Sequence, residues 1–125
     1  MADDMIPADL RDFILRHIDS VAHLEALLLL RATPETAWEV AAVAARLYLA
    51  VGQVREVLDQ LCDEHLLGCE NGFYRYGGQP PEQLGMIDRL ADAYAKQLIP
   101  VTDLIHTKPR RIRQFADAFK FRKDH

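Results

Sequence analysis

The chain is poor in the features that announce covalent or catalytic chemistry. Two cysteines among 125 residues are too few for a disulfide framework, so the expectation is two free thiols and a cytoplasmic setting. No run of 18 apolar residues occurs: even residues 26–30 are bounded by Glu25 and Arg31. Asp3 and Asp4 stand near the N-terminus, where a secretory leader carries basic residues. A membrane-spanning or leader-directed protein is therefore not expected. There is no glycine-rich phosphate loop, no Gly-x-Ser-x-Gly and no His-Glu-x-x-His. The many carboxylates fall on helix positions expected to face water, where a charged face is the ordinary arrangement. No enzyme, catalytic residue or cofactor is expected.

Cys62, His65 and Cys69 have a Cys-x2-His-x3-Cys spacing that imitates a metal site. It lacks a nearby fourth ligand, and two core thiols beside a surface histidine account for it, so no metal is expected. Basic charge is also scarce over most of the chain. Up to residue 107 there are 8 Lys and Arg against 17 Asp and Glu, whereas from Lys108 to His125 there are 7 against 2. The body is acidic and the tail basic.

Half of the residues are hydrophobic, enough for residues 1–125 to form one domain around a sizeable core. Leu10, Phe13, Ile14, His17 and Ile18 form one stripe of a leading helix over residues 7–19, with Pro7 in its first turn. Ser20 can cap a second helix, running to Arg31, in which Leu24, Leu27, Leu28 and Leu30 cover most of the circumference. A third helix is expected over residues 35–45, with Trp38, Val40, Ala41, Val43 and Ala44 supplying its apolar surface. Val54, Val57, Leu58, Leu61 and Cys62 then recur at i, i+3, i+4 intervals, which predicts a fourth helix over residues 51–65 with Gln53, Arg55, Glu56, Asp59 and Gln60 facing outward. Asn71-Gly72 follows, the strongest short hairpin signal, flanked by Leu67, Cys69, Tyr74 and Tyr76 at alternating positions.

A break at Gly77-Gly78-Gln79-Pro80-Pro81 reads as a hinge-like linker. Beyond it Leu84, Ile87, Ala91, Tyr94, Leu98, Val101 and Ile105 alternate in steps of three and four, a heptad seam that wants a partner helix. Pro100 predicts a kink or break near residues 97–100. Pro109 is expected to open a last helix with Ile112, Phe115, Ala116 and Phe119 on its apolar face.

Residues 21–77, and residues 43–76 most clearly, resemble the winged-helix family of bacterial transcriptional regulators, whose helix-turn-helix often runs Ala-x-x-Leu-Gly-Leu-Ser-x-x-x-Val-x-x-x-Leu-x-x-Leu. Ala44, Leu47, Leu49, Val54, Leu58 and Leu61 match that pattern. Tyr48 replaces the turn glycine and Ala50 replaces the capping Ser or Thr, at a cost of roughly 1 kcal/mol of local helix stability. The expected fold class is mainly α: a winged helix-turn-helix core at residues 20–77 with a small two-stranded β-hairpin wing and helical N- and C-terminal extensions. A leading helix, a winged core and trailing helices resemble in particular the dimeric regulators of the MarR type, whose terminal helices interlock. This chain departs from them in its short wing and acidic reading helix.

That resemblance implies double-stranded DNA as a partner, read by Gln53, Arg55 and Gln60 on the fourth helix and Arg75 on the wing. Phosphate contacts would come from Arg110, Arg111 and Arg113 in the tail. It also implies a homodimer through residues 7–19 and 81–121, with Leu84, Ile87, Ala91, Tyr94, Leu98, Val101, Ile105, Ile112, Phe115 and Phe119 as the interface. The fourth helix carries Arg55 alone against Glu56, Asp59, Asp63 and Glu64. A second expectation therefore stands beside the first: a winged-helix module that binds another protein, its basic tail serving as the dock, and does not bind DNA. The tail itself has three readings: a phosphate-contacting arm, a docking helix for an acidic patch, or an amphipathic helix packing Phe115 and Phe119 into its own core. Tyr94, Trp38 and Phe13 could line a small-molecule pocket, but core or dimer packing is the simpler account of them and the one expected.

Overall fold

The structure, a computed structural model, describes residues 6–107. They form helices α1 (Ala8–His17), α2 (Val21–Ala32), α3 (Val40–Leu47), α4 (Val51–Asp63), α5 (Pro81–Lys96) and α6 (Leu98–Thr107), and strands β1 (Trp38–Glu39), β2 (Gly68–Glu70) and β3 (Phe73–Arg75). The fold is mainly helical, with one small antiparallel sheet in the order β1-β3-β2, and this order of elements is compatible with a winged helix. The helix expected over residues 109–121, with Arg110, Arg111, Arg113, Ile112, Phe115 and Phe119, lies outside the described residues.

Ser20 caps α2 as its type predicts: its Oγ accepts from the His23 backbone N–H at 3.3 Å. Leu24, Ala26, Leu27 and Leu30 of α2 are fully buried, together with Leu58 and Leu61 of α4, Val43 of α3 and Ile14 of α1. At up to about 3 kcal/mol per large apolar side chain removed from water, this cluster supplies the main drive to fold. Helix α2 packs against α3 and α4, and α1 packs against α5 and α6.

The third helix begins five residues later than expected, because Trp38 is in a strand. Thr33 Oγ1 donates to the Leu29 carbonyl at the end of α2 and accepts from the Trp38 indole N–H at 3.0 Å. The chain then pairs Trp38 with Tyr74 and Glu39 with Phe73. Trp38 and Val40 are buried and Glu39 is exposed, the alternation of a half-buried strand; helical spacing starts only at Val40, Val43, Ala44 and Leu47. The expected hairpin is present as β2 and β3, and β1 adds a third strand that was not expected. The hairpin turn is the anticipated one, with Asn71 and Gly72 both at positive φ, 56° and 82°.

Residues 77–81 are less hinge-like than their composition suggests. Gln79 is buried, and its amide donates to the Leu66 carbonyl at 2.7 Å. The helix break falls where it was expected. Gln97 leaves helical geometry at φ −135° and ψ 58°, and its carbonyl accepts from Val101 N–H to start α6. Pro100 therefore occupies the first turn of α6, where an amide N–H has no intrahelical partner to lose.

The break redistributes the heptad stripe. Ile87, Val101 and Ile105 are buried in this chain's own core, where α1 supplies the partner helix that the stripe requires. Tyr94 is half-buried, and its hydroxyl donates to Glu25 of α2 at 2.7 Å. Leu84 and Ala91 are partly exposed, whereas Leu98 and its neighbour Ile99 remain 50% and 64% exposed.

Polar contacts pin the two halves at their surfaces. Arg31 of α2 donates twice to Asp88 of α5, and Arg89 of α5 forms a two-pronged pair with Asp9 of α1 at 2.7 and 2.9 Å. The hydrogen bonds from Arg89 hold the Asp9 carboxyl at about 2, below its usual 3.8. Because the folded value is the lower, the pair stabilises the fold above pH 4 or so and loses that contribution as pH falls towards 2. In Arg89→Met the Asp9 carboxyl should rise from about 2 towards its usual 3.8 by carboxyl-detected NMR; an unchanged value would mean that the guanidinium is not the cause.

Candidate functional site

Two consecutive helix ends shape the surface around α4. Helix α3 stops at Tyr48, which adopts the left-handed conformation (φ 59°, ψ 44°) while Leu49 N–H returns to the Ala44 carbonyl. This is the position usually given to glycine, and the cost for a side chain is roughly 1–2 kcal/mol. Tyr48 takes no packing in return, being 92% exposed. Helix α4 then starts at Ala50 with no side-chain cap, so its first amides point outward at the positive end of the helix dipole. Val51, Gly52, Gln53, Arg55 and Glu56 are exposed along the first two turns, and Val54, Val57, Leu58 and Leu61 are buried on the opposite side.

The second half of α4 is tied down. Gln60 Oε1 pairs with His23 Nε2 of α2, and His23 Nδ1 is bonded in turn to Ser20 Oγ at 2.7 Å. Asp59 accepts from the Tyr74 hydroxyl at 2.6 Å. Glu64, just past the helix, pairs with His17 Nδ1 of α1, whose ring meets that of Phe13 at a tilt of 53°, with centroids 4.8 Å apart. Burial, reinforced by the bond to Asp59, pushes the Tyr74 phenol up to about 12. Two of the four acidic side chains that set α4 against a polyanion are thus engaged within the fold, as hydrogen-bond acceptors.

The DNA-reading residues suggested by sequence are split by this arrangement. Gln53 and Arg55 share the open first half of α4. Gln60 is exposed but anchored through its carbonyl to α2. Arg75 lies elsewhere: Tyr74 points from β3 towards α4, so Phe73 and Arg75 occupy the other face of the sheet. There they border an open groove of about 760 Å³ with Ala37, Gly68 and Glu70. Arg46 lies 5.6 Å over the Trp38 ring, a cation–π contact that braces α3 against β1.

Cys62 and Cys69 are both reduced, and Cys69 is the exposed one. Among the described residues no group of three or more His, Cys, Asp or Glu is placed to hold a metal ion, and no helix is long and apolar enough to cross a membrane. Trp38, Phe13 and Tyr94 sit in or against the core and do not line a common cavity among those described.

The sequence marks Tyr48 as standing where a turn needs glycine but gives it no role at the surface, and it does not show the His17–Glu64 and His23–Gln60 pairs. The histidine pairs join residues 47 and 37 positions apart, and no local pattern marks them.

Since Tyr48 bears backbone strain without packing, Tyr48→Gly should stabilise the fold by about 1 kcal/mol in denaturant unfolding. Destabilisation would show that the tyrosine has a structural role its exposure conceals. Comparison with known protein families, with characterised proteins and with solved structures finds no match to this chain.

Proposed function

We propose that this chain is a winged-helix DNA-binding protein that acts as a homodimeric transcriptional regulator, working by binding and not by catalysis. One observation carries the reading. Helix α4 is clamped at its C-terminal half and open at its N-terminal half, where Gln53 and Arg55 stand beside uncapped amides and the exposed, strained Tyr48. A recognition helix enters the major groove by its N-terminal residues; Gln reads adenine and Arg reads guanine there, while amides and a phenolic hydroxyl bond phosphate. In this reading Gln60 positions α4 from within. Arg75, on the far sheet face, is at most a phosphate contact, and Arg110, Arg111 and Arg113 supply the charge that α4 lacks. Strain kept at an exposed residue fits a surface selected for contact.

Dimerisation in this proposal uses the part of the heptad stripe left open, Leu98 with its neighbour Ile99 and the flanking Leu84 and Ala91. A second reading, a protein-docking module that binds no DNA, is favoured by one fact: residues 6–107 carry 15 Asp and Glu against 8 Lys and Arg.

The two readings separate by titration. Binding of the full chain to duplex DNA fragments should be measurable at low salt and weaken steeply as salt rises; Arg55→Ala should relax sequence preference, and Tyr48→Gly should weaken binding by several-fold in a protein that is more stable. No binding at low salt leaves the protein-docking reading standing.

Leu98→Asp should convert a dimer into a folded monomer in light scattering, because half-exposed Leu98 contributes little to its own chain's core. A wild-type monomer, or a variant that remains dimeric, overturns the seam.

A further inference from the structure

The two cysteines are brought together by the way α4 ends. His65 takes the left-handed conformation (φ 62°), with Leu66 N–H bonded to the Leu61 carbonyl and His65 N–H to the Cys62 carbonyl, both at 2.9 Å. This double closure folds the chain straight back from α4 into β2. Register does the rest. Cys69 pairs with Tyr74 across the hairpin, and Tyr74 reaches Asp59 on α4, so Cys69 shares the sheet face that looks at the helix. Cys62 lies one turn beyond Asp59 on that side of α4. Helix α4 packs on β2 at this point, and Cys69 is near enough to help raise the Cys62 thiol, which burial already pushes up. Cys62, a half-buried residue, belongs to the helix, and Cys69, an exposed one, to the edge strand.

We propose that Cys62 and Cys69 form a peroxide-reactive dithiol that closes reversibly to an intramolecular disulfide between the end of α4 and β2. Exposed Cys69 meets the oxidant first. Its thiolate attacks one oxygen of hydrogen peroxide, the O–O bond breaks, and the departing hydroxide takes a proton to leave as water, giving Cys69 sulfenic acid. The Cys62 sulfur then attacks the Cys69 sulfur; the S–O bond breaks, and the hydroxide leaves as water with the Cys62 proton. Two thiols and one peroxide become one disulfide and two waters, with two electrons passing from sulfur to oxygen. Burial, with Asp59 and Asp63 nearby, keeps the Cys62 thiol protonated, which assigns the first attack to Cys69 and the resolving role to Cys62. Thiol–disulfide exchange with a small dithiol reverses the bond. The site does not depend on the DNA-binding reading.

The test uses the full reduced chain, one equivalent of hydrogen peroxide, then iodoacetamide in denaturant, where both thiols are accessible, and intact-mass measurement. The expected product is a monomeric chain about 2 Da lighter than the reduced protein, carrying no alkyl group and returned to two alkylatable thiols by a dithiol reductant. A proteolytic fragment should join the segments bearing Cys62 and Cys69. In Cys62→Ser the oxidation should stop at Cys69, trapped by dimedone as sulfenic acid; in Cys69→Ser, Cys62 should stay alkylatable at the same peroxide dose. Two thiols still alkylatable in the wild type, a disulfide between chains, or oxidation to sulfinic acid without a disulfide would each overturn the proposal.

Discussion

The structure depends on covering α2. Leu24, Ala26, Leu27 and Leu30 point to several sides of that helix and are removed from water, so one partner cannot satisfy it. The segment from β1 to β3 covers it from one direction, with α3 and α4 in direct contact. Helix α5 reaches it from another, through Tyr94 to Glu25 and Arg31 to Asp88. Helix α1 completes the arrangement by lying on α5 and α6. The polar pairs contribute little energy at exposed positions, but they fix which residues of neighbouring helices meet.

What could be read from the residues beforehand divides along a physical line. Elements governed by neighbours within a few positions were legible: Ser20 as a cap, the apolar stripe of α4, Asn71-Gly72 as a turn, and the break before Pro100. The first strand was not, because two residues hold no periodicity, and Trp38 becomes a strand residue only when Thr33 binds its indole and Tyr74 pairs with it. The heptad stripe was a true signal of helix burial. It did not say whose helix does the burying, and for Ile87, Val101 and Ile105 the chain itself supplies it.

The same line runs through the candidate site. Outward-facing positions on α4 follow from the 3.6-residue period, and Gln53 and Arg55 are where that period puts them. Whether an outward side chain is free is a tertiary matter. Asp59 and Gln60 face out of the core and are nevertheless held, by a tyrosine fifteen positions later and a histidine thirty-seven positions earlier. Charge counted along the helix therefore overstates how much unengaged carboxylate its surface presents. It also misses Tyr48, whose prominence comes from a backbone conformation and not from its neighbours in sequence.

Helix α4 has unlike halves. Its polar moorings, Asp59 to the sheet, Gln60 to α2 and Glu64 to α1, lie eight to thirteen residues from Val51, while its start is an uncapped residue after a strained turn. Val54, Val57 and Leu58 bury the underside of both halves. A contact made by the exposed first turns therefore has only side chains to order, because the backbone beneath them is already held.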